Sequence, residues 1–332
     1  MPRQHFLSAT LLFCALPALA DNVNMYFDSA SSGATWNDST TANWSATPGG
    51  PYTSVIGTYN IANFEGTGAA VNSAGVNVNG LAFNANGYTI QSGAVNFGSP
   101  GGGPAVTVAT GVSATITSNI GKAGGSTYLR KEGEGALSIT GASVQLDSLT
   151  VNTGTFQFNG GTMAFGAGLN LGNTAVAGTG VFALDGGTVN VTGGNNIFSN
   201  NATASSVFTQ TGGTFNLTGG GYLYMGNQGA PVQTVAISGG VFNAANTGSQ
   251  FLAIRGNASI TVSGTAAATF NNLQIGHPTV GGAGTVNLDG GSLTLASMGR
   301  NNGTGTFNFN GGLLRASADS AAYFQNLTRA NV

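Results

Sequence analysis

From Phe156 to Leu314, apolar and polar residues alternate at period two on both sides of a recurrent glycine turn. Such alternation puts every second side chain on one face, so it predicts half-buried strands and not helices. The turns begin at Gly160, Gly186, Gly212, Gly239, Gly264, Gly290 and Gly311, at intervals of 26, 26, 27, 25, 26 and 21 residues. Four positions before each turn stand Phe156, Phe182, Phe208, Val235, Ile260, Val286 and Phe307. Two positions before it stand Phe158, Leu184, Gln210, Ile237, Val262, Leu288 and Phe309, where Gln210 is the one polar member. Three positions after it stand Met163, Val189, Phe215, Phe242, Ala267, Leu293 and Leu314. A second apolar element closed by glycine recurs as "LNLG" ending at Gly172, "YLYMG" at Gly226, "LQIG" at Gly276 and "LASMG" at Gly299.

A repeat of this length without helical period excludes helical solenoids, and it is too short for a propeller blade of about 40 residues. It fits one coil of an all-β fold, a parallel β-helix with coils of about 20–27 residues, in which equivalent residues stack on one another. The glycine pairs precede strand, not helix, so they are corners and lack the helix N-terminus that a phosphate loop requires. Asn190, Asn216 and Asn243 form a polar column four residues after their turns, which predicts a hydrogen-bonded amide ladder from coil to coil. Tyr222 and Tyr224 flank the apolar positions Leu223 and Met225, so they face outward and are the candidate glycan contacts.

The first twenty residues have a different character. Arg3, the apolar run Phe6 to Leu16 and Ala18-Leu19-Ala20 make a secretory leader with a cleavage signal before Asp21. The only cysteine, Cys14, lies inside it, so the mature chain carries no thiol. No segment reaches the roughly 20 apolar residues of a membrane helix. Residues 21–98 are expected to form an N-terminal cap and first irregular coils, with Trp36 and Trp44 covering the open end, and residues 99–332 the repeats, clearest at 156–316. The stretch 98–104, "GSPGGGP", reads as a loop. The chain stops at "NLTRANV" soon after a Gly-Gly coil, which leads us to expect that the solenoid continues beyond Val332.

Composition narrows the function. Only 5% of the 332 residues are charged, the net charge is −2, and 41% are apolar. A chain this apolar can bury a core, and one this weakly charged has no electrostatic footprint for nucleic acid. Its polar surface must be built from Asn, Thr, Ser and Gln.

The tryptophan pair in "TWNDSTTANWS" ahead of "NFEGTG" resembles the opening of bacterial autotransporter-associated β-strand repeat proteins. "LRKEGEGALSITGA", Leu129 to Ala142, is similar to that family's repeat, with Leu129, Lys131, Gly133, Gly135, Leu137, Ile139 and Gly141 on its pattern and Gly154-Thr155-Phe156 downstream. The resemblance implies a right-handed parallel β-helix exposed at or beyond the outer surface of a bacterium. It departs from autotransporters in that these 332 residues hold no membrane barrel.

The same residues offer few groups for catalytic or metal chemistry. His277, the one histidine after the leader, stands alone before Pro278. Asp185 and Asp289 share a repeat position but lie 104 residues apart, four coils or roughly 19 Å, too far for a glycosidase pair. Glu132 and Glu134 flank Gly133 as a solvated strand or turn. "GGAGTVNLD", Gly281 to Asp289, places Val286 where a calcium-binding nonapeptide needs its aspartate. The expectation is an exported, non-enzymatic scaffold or adhesin-like passenger without cofactor or metal, reaching surface glycans or other cells. The alternative is a carbohydrate-binding or polysaccharide-degrading β-helix protein.

Overall fold

A computed structural model describes residues 23–28, 30, 35–36, 42–53, 59–98, 103–125, 127–173, 177–228, 232–246 and 248–332. The leader, with Arg3, Cys14 and the cleavage signal, lies outside the described residues, as does part of the 98–104 stretch.

The described residues are all β, without helix, and wind into a parallel-stacked β-solenoid of about ten turns. Each turn contributes a strand to each of three sheets in succession. Gly80–Phe83, Tyr88–Gln91 and Ala94–Phe97 make one such turn, and Ala105–Val108 begins the next by pairing in parallel with Gly80–Phe83. From Ile61 onward, strand partners on neighbouring turns lie as few as 19 and as many as 27 residues apart, whereas Asn24 pairs with Ile61 across 37. The same three stacks run through from Ile61, where Ile61–Phe64 pairs in register with Gly80–Phe83.

The apolar columns coincide with the hydrogen-bond register. Phe156 pairs with Phe182, then Phe208, Val235, Ile260, Val286 and Phe307, and each is buried. The second column is in register from Phe158 to Phe309, and Gln210 sits within it fully buried. Its Nε2 donates to the carbonyls of Gly213 (3.2 Å) and Val241 (3.0 Å), so the amide bridges one corner to the next. That bridge offsets part of the cost of a buried polar side chain, although its Oε1 has no partner among the described residues.

One member of the third column moves. Phe242 pairs with Ala268, and Ala267 pairs with Val241 and faces outward. From Ile237 to Val241 the corner takes four steps, whereas from the paired Val262 to Ala267 it takes five. The corner "SGTA" thus holds one residue more than "SGG", and a one-residue slip reverses a strand's faces.

The glycine pairs are corners for two reasons. Gly187 and Gly213 have φ of +77° and +66°, a region L side chains rarely adopt. A Cβ on Gly213 would also stand 2.6 Å from the carbonyl oxygen of Gly187 on the turn beneath. Where the pair is interrupted, Gly264 takes the left-handed conformation alone, with φ +57°.

At the N-terminal end, Asn24–Phe27 pairs antiparallel with Trp44–Ser45, which occupies an edge that would otherwise present unpaired backbone. Trp36 and Trp44 are fully buried with ring centroids 5.2 Å apart, and the Trp44 indole donates to the Trp36 carbonyl at 2.8 Å. Phe27 and Phe64 continue the cluster onto the stack of Phe64 over Phe83 at 5.0 Å.

Phe208 sits where these columns meet, stacked on Phe182 at 5.7 Å and Phe198 at 6.0 Å and edge-on to Phe215 and Phe242. Phe208→Ala is expected to lower stability by about 3–5 kcal/mol through the cavity it leaves. Hydrogen exchange should show protection lost in its own and adjacent turns first; uniform loss along the chain would contradict coil-by-coil stacking.

Candidate functional site

The outer wall of the first sheet changes chemistry over three turns. Its outward column reads Asn170, Ile197, Tyr224, Phe251, Gln274, Gly299 and Gln325. Tyr222 precedes Leu223–Met225 by one residue and so projects on the same side as Tyr224. The two tyrosine rings lie parallel, 5.0 Å apart at 9°, with Tyr222 42% exposed and Tyr224 half-buried. Both candidate glycan contacts therefore face solvent.

The aromatic surface does not end there. Tyr224 meets Phe251 on the next turn at 5.7 Å, and Phe251 meets His277 on the turn after at 5.4 Å. The isolated loop histidine of the sequence is thus half-buried against a ring. Thr279 N–H points at its Nδ1 from 3.4 Å, and the Thr279 hydroxyl lies 3.0 Å from the same nitrogen. Sequence reasoning missed Phe251 and did not connect His277. Phe251 stands one coil length after Tyr224 and was legible in the sequence; His277 lies three residues past Phe251's strand partner, Gln274, and was not.

An amide ladder ends against this surface. Asn200 Nδ2 donates to Asn173 Oδ1 and Asn227 Nδ2 to Asn200 Oδ1, both at 2.7 Å. On the next turn Ile254 and Arg255 follow the corner, and Tyr224, Asn227, Ile254, Arg255 and His277 line an indentation of about 100 Å³. The ladder donates downward, so the Asn227 carbonyl oxygen is its terminal acceptor. Burial first, and the neighbouring Tyr222 second, raise the Tyr224 phenol above its ordinary pKa, so it remains a neutral donor in physiological conditions.

The predicted Asn column forms its first rung, with Asn216 Nδ2 donating to Asn190 Oδ1 at 3.0 Å and Asn243 in register above. A longer ladder runs from Thr261 through Asn287 and Asn308 to Asn331.

The carboxylates tie turns together. Asp185 accepts from Gln157 (2.7 Å) and Thr211 (2.6 Å) on the turns to either side, and Asp289 accepts from Asn310 (2.7 Å). Leu184 and Leu288, their neighbours, are four registers apart, which keeps the two carboxylates at roughly 19 Å. Glu132 accepts from Asn152 at 2.7 Å, and Glu134 is exposed. Among the described residues no group of three or more His, Cys, Asp or Glu gathers to hold a metal, and no helix is long and apolar enough to cross a membrane. A polar groove of about 350 Å³ opens over Gly121 on the third sheet, but the lysine on its rim, Lys122, is paired with Asp147 at 3.0 Å.

Lys131 is the residue the sequence hides best. It is 1% exposed, and its Nζ donates to the carbonyls of Glu132 (3.0 Å), Gly133 (2.7 Å) and Thr153 (3.1 Å), bracing the corner that the glycines turn. Burial lowers its pKa to about 8, against the upward pull of Glu132 and Glu134. The unfolded lysine titrates near 10.4, so between pH 8 and 10 the unfolded chain binds more protons than the folded one. Stability is expected to rise with pH across that window by about 2–3 kcal/mol, and Lys131→Met to abolish the rise while costing on the order of 3 kcal/mol at pH 7 by orphaning three carbonyls. Denaturant melts of both proteins at pH 7, 8, 9 and 10 measure this. No family model, curated protein or solved structure matches the chain.

Proposed function

We propose that the chain is an exported β-solenoid that serves as a surface scaffold or adhesin-like passenger and carries out no catalysis. The supporting observation is the parallel stack that continues from turn to turn, in which Asp185 and Asp289 are engaged in ties between turns. About ten turns at ~4.8 Å make a rod roughly 50 Å long, a spacer whose stability is added turn by turn. The leader-like first twenty residues and the likeness to autotransporter-associated repeats support export through the Sec pathway and display at the outer membrane or release. A wall clad in Asn, Thr and Ser, with 5% charge overall, suits contact with glycans or other cells better than contact with nucleic acid. The second reading, a carbohydrate-binding protein, is favoured by the stacked Tyr222–Tyr224 pair on the outer wall.

Fractionation of a Gram-negative host expressing the whole chain tests the reading. The expected outcome is a protein outside the cytoplasm whose first residue is Asp21; retention in the cytoplasm with the leader intact would contradict it. Incubation with soluble polysaccharides should release no reducing ends. Cleavage that disappears in Asp185→Asn or Asp289→Asn would replace the scaffold with an enzyme.

A further inference from the structure

We propose that Tyr224, Phe251 and His277, with Asn227 and Arg255 beside them, form a binding site for the pyranose chain of a glycan lying along the solenoid axis. The proposal deepens the glycan-contact reading by fixing the site and the direction of the ligand.

Four observations carry it. First, the aromatic residues are outward-facing and contiguous, Tyr224 to Phe251 at 5.7 Å and Phe251 to His277 at 5.4 Å, on a chain whose outer positions are otherwise mostly small or amide side chains. Their ring faces, tilted 58° and 52° from one to the next, are apolar and electron-rich and match the axial C–H faces of successive pyranose rings. Second, three residues with hydrogen-bonding side chains line the same indentation: Asn227 at the end of its ladder, the exposed Arg255 and Tyr224. Third, Asn227 is held by Asn200 at 2.7 Å and His277 is hydrogen-bonded to Thr279, so these groups are positioned before any ligand arrives. Fourth, the aromatics climb one turn at a time, so the surface covers two rungs, about 10 Å along the axis, a length that suits consecutive sugar rings. Arg255 presents a planar fork that reads either vicinal hydroxyls of a neutral sugar or the carboxylate of a uronic acid.

Affinity electrophoresis of the purified protein through gels containing hydroxyethylcellulose or polygalacturonate tests the site. Retardation by at least one polymer is expected, weakened about tenfold by Tyr224→Ala and by Phe251→Ala, while Tyr128→Ala, at an exposed tyrosine elsewhere, changes nothing. Phe251→Leu keeps apolar bulk without a π face and should also lose binding, which separates stacking from folding. Melting curves of each variant check that the coil is intact. If Arg255→Ala lowers retardation by polygalacturonate alone, the guanidinium reads a carboxylate; if it lowers both equally, it reads hydroxyls. Absence of retardation by either polymer, or retardation undiminished in the folded Tyr224→Ala and Phe251→Ala variants, would overturn the proposal. Because the assay uses purified protein, its failure leaves the test of export untouched.

Discussion

Parallel in-register pairing is the constraint from which the rest of the molecule follows. Apart from the antiparallel Trp44–Ser45 and the end turns, strands satisfy their backbone on the strands one turn above and below, at a spacing of ~4.8 Å. Equivalent positions are therefore in contact, and each must be compatible with itself. Phe stacks on Phe from Phe156 to Phe208, with interplanar angles of 7° and 14°. Amide stacks on amide from Asn173 to Asn227, and glycine on glycine at the corners, where a Cβ on Gly240 would collide with the Gly213 carbonyl. Charge does not stack on like charge without a penalty, which is a physical reason for a chain with 5% charged residues to build its wall from amides and hydroxyls.

This constraint decides what could be read from the sequence. The columns through Phe182, Leu184 and Phe215 were legible because self-compatibility writes the three-dimensional contact as a sequence period. The position of Ala267 was misjudged for the same reason: alignment on Gly264 assumes a corner of constant length, and the extra residue in "SGTA" makes Ala268 the inward one. Lys131 was not legible at all. A lysine between Arg130 and Glu132 reads as solvated, and only the fold reveals that its alkyl stem runs inward and its ammonium finds three carbonyls of tightly turned backbone.

The candidate site was half legible. Tyr222 and Tyr224 stand two residues apart in an extended segment, so alternation alone places both outside. Phe251 and His277 join them across turns, and His277 does so from a corner, where strand periodicity gives no direction. A solenoid thus assembles a surface from residues one coil length apart, and the chemistry of one wall is spread over more than fifty residues of chain. That arrangement suits recognition of a repeating polymer better than the focused geometry of catalysis, in which two ionisable groups must approach within several ångströms.

Stacking also predicts that distance along the axis depends on the number of turns and not on the surrounding sequence. Thr115, Thr209, Thr261 and Asn287 occupy one outward column, Thr209 four rungs, Thr261 six and Asn287 seven from Thr115. Spin labels placed at Thr115 and each of the other three in turn measure those separations by pulsed electron resonance. The account predicts backbone separations near 19, 29 and 34 Å, rising by ~4.8 Å per rung once label length is allowed for. Distances that fail to increase from Thr209 to Asn287 would contradict it.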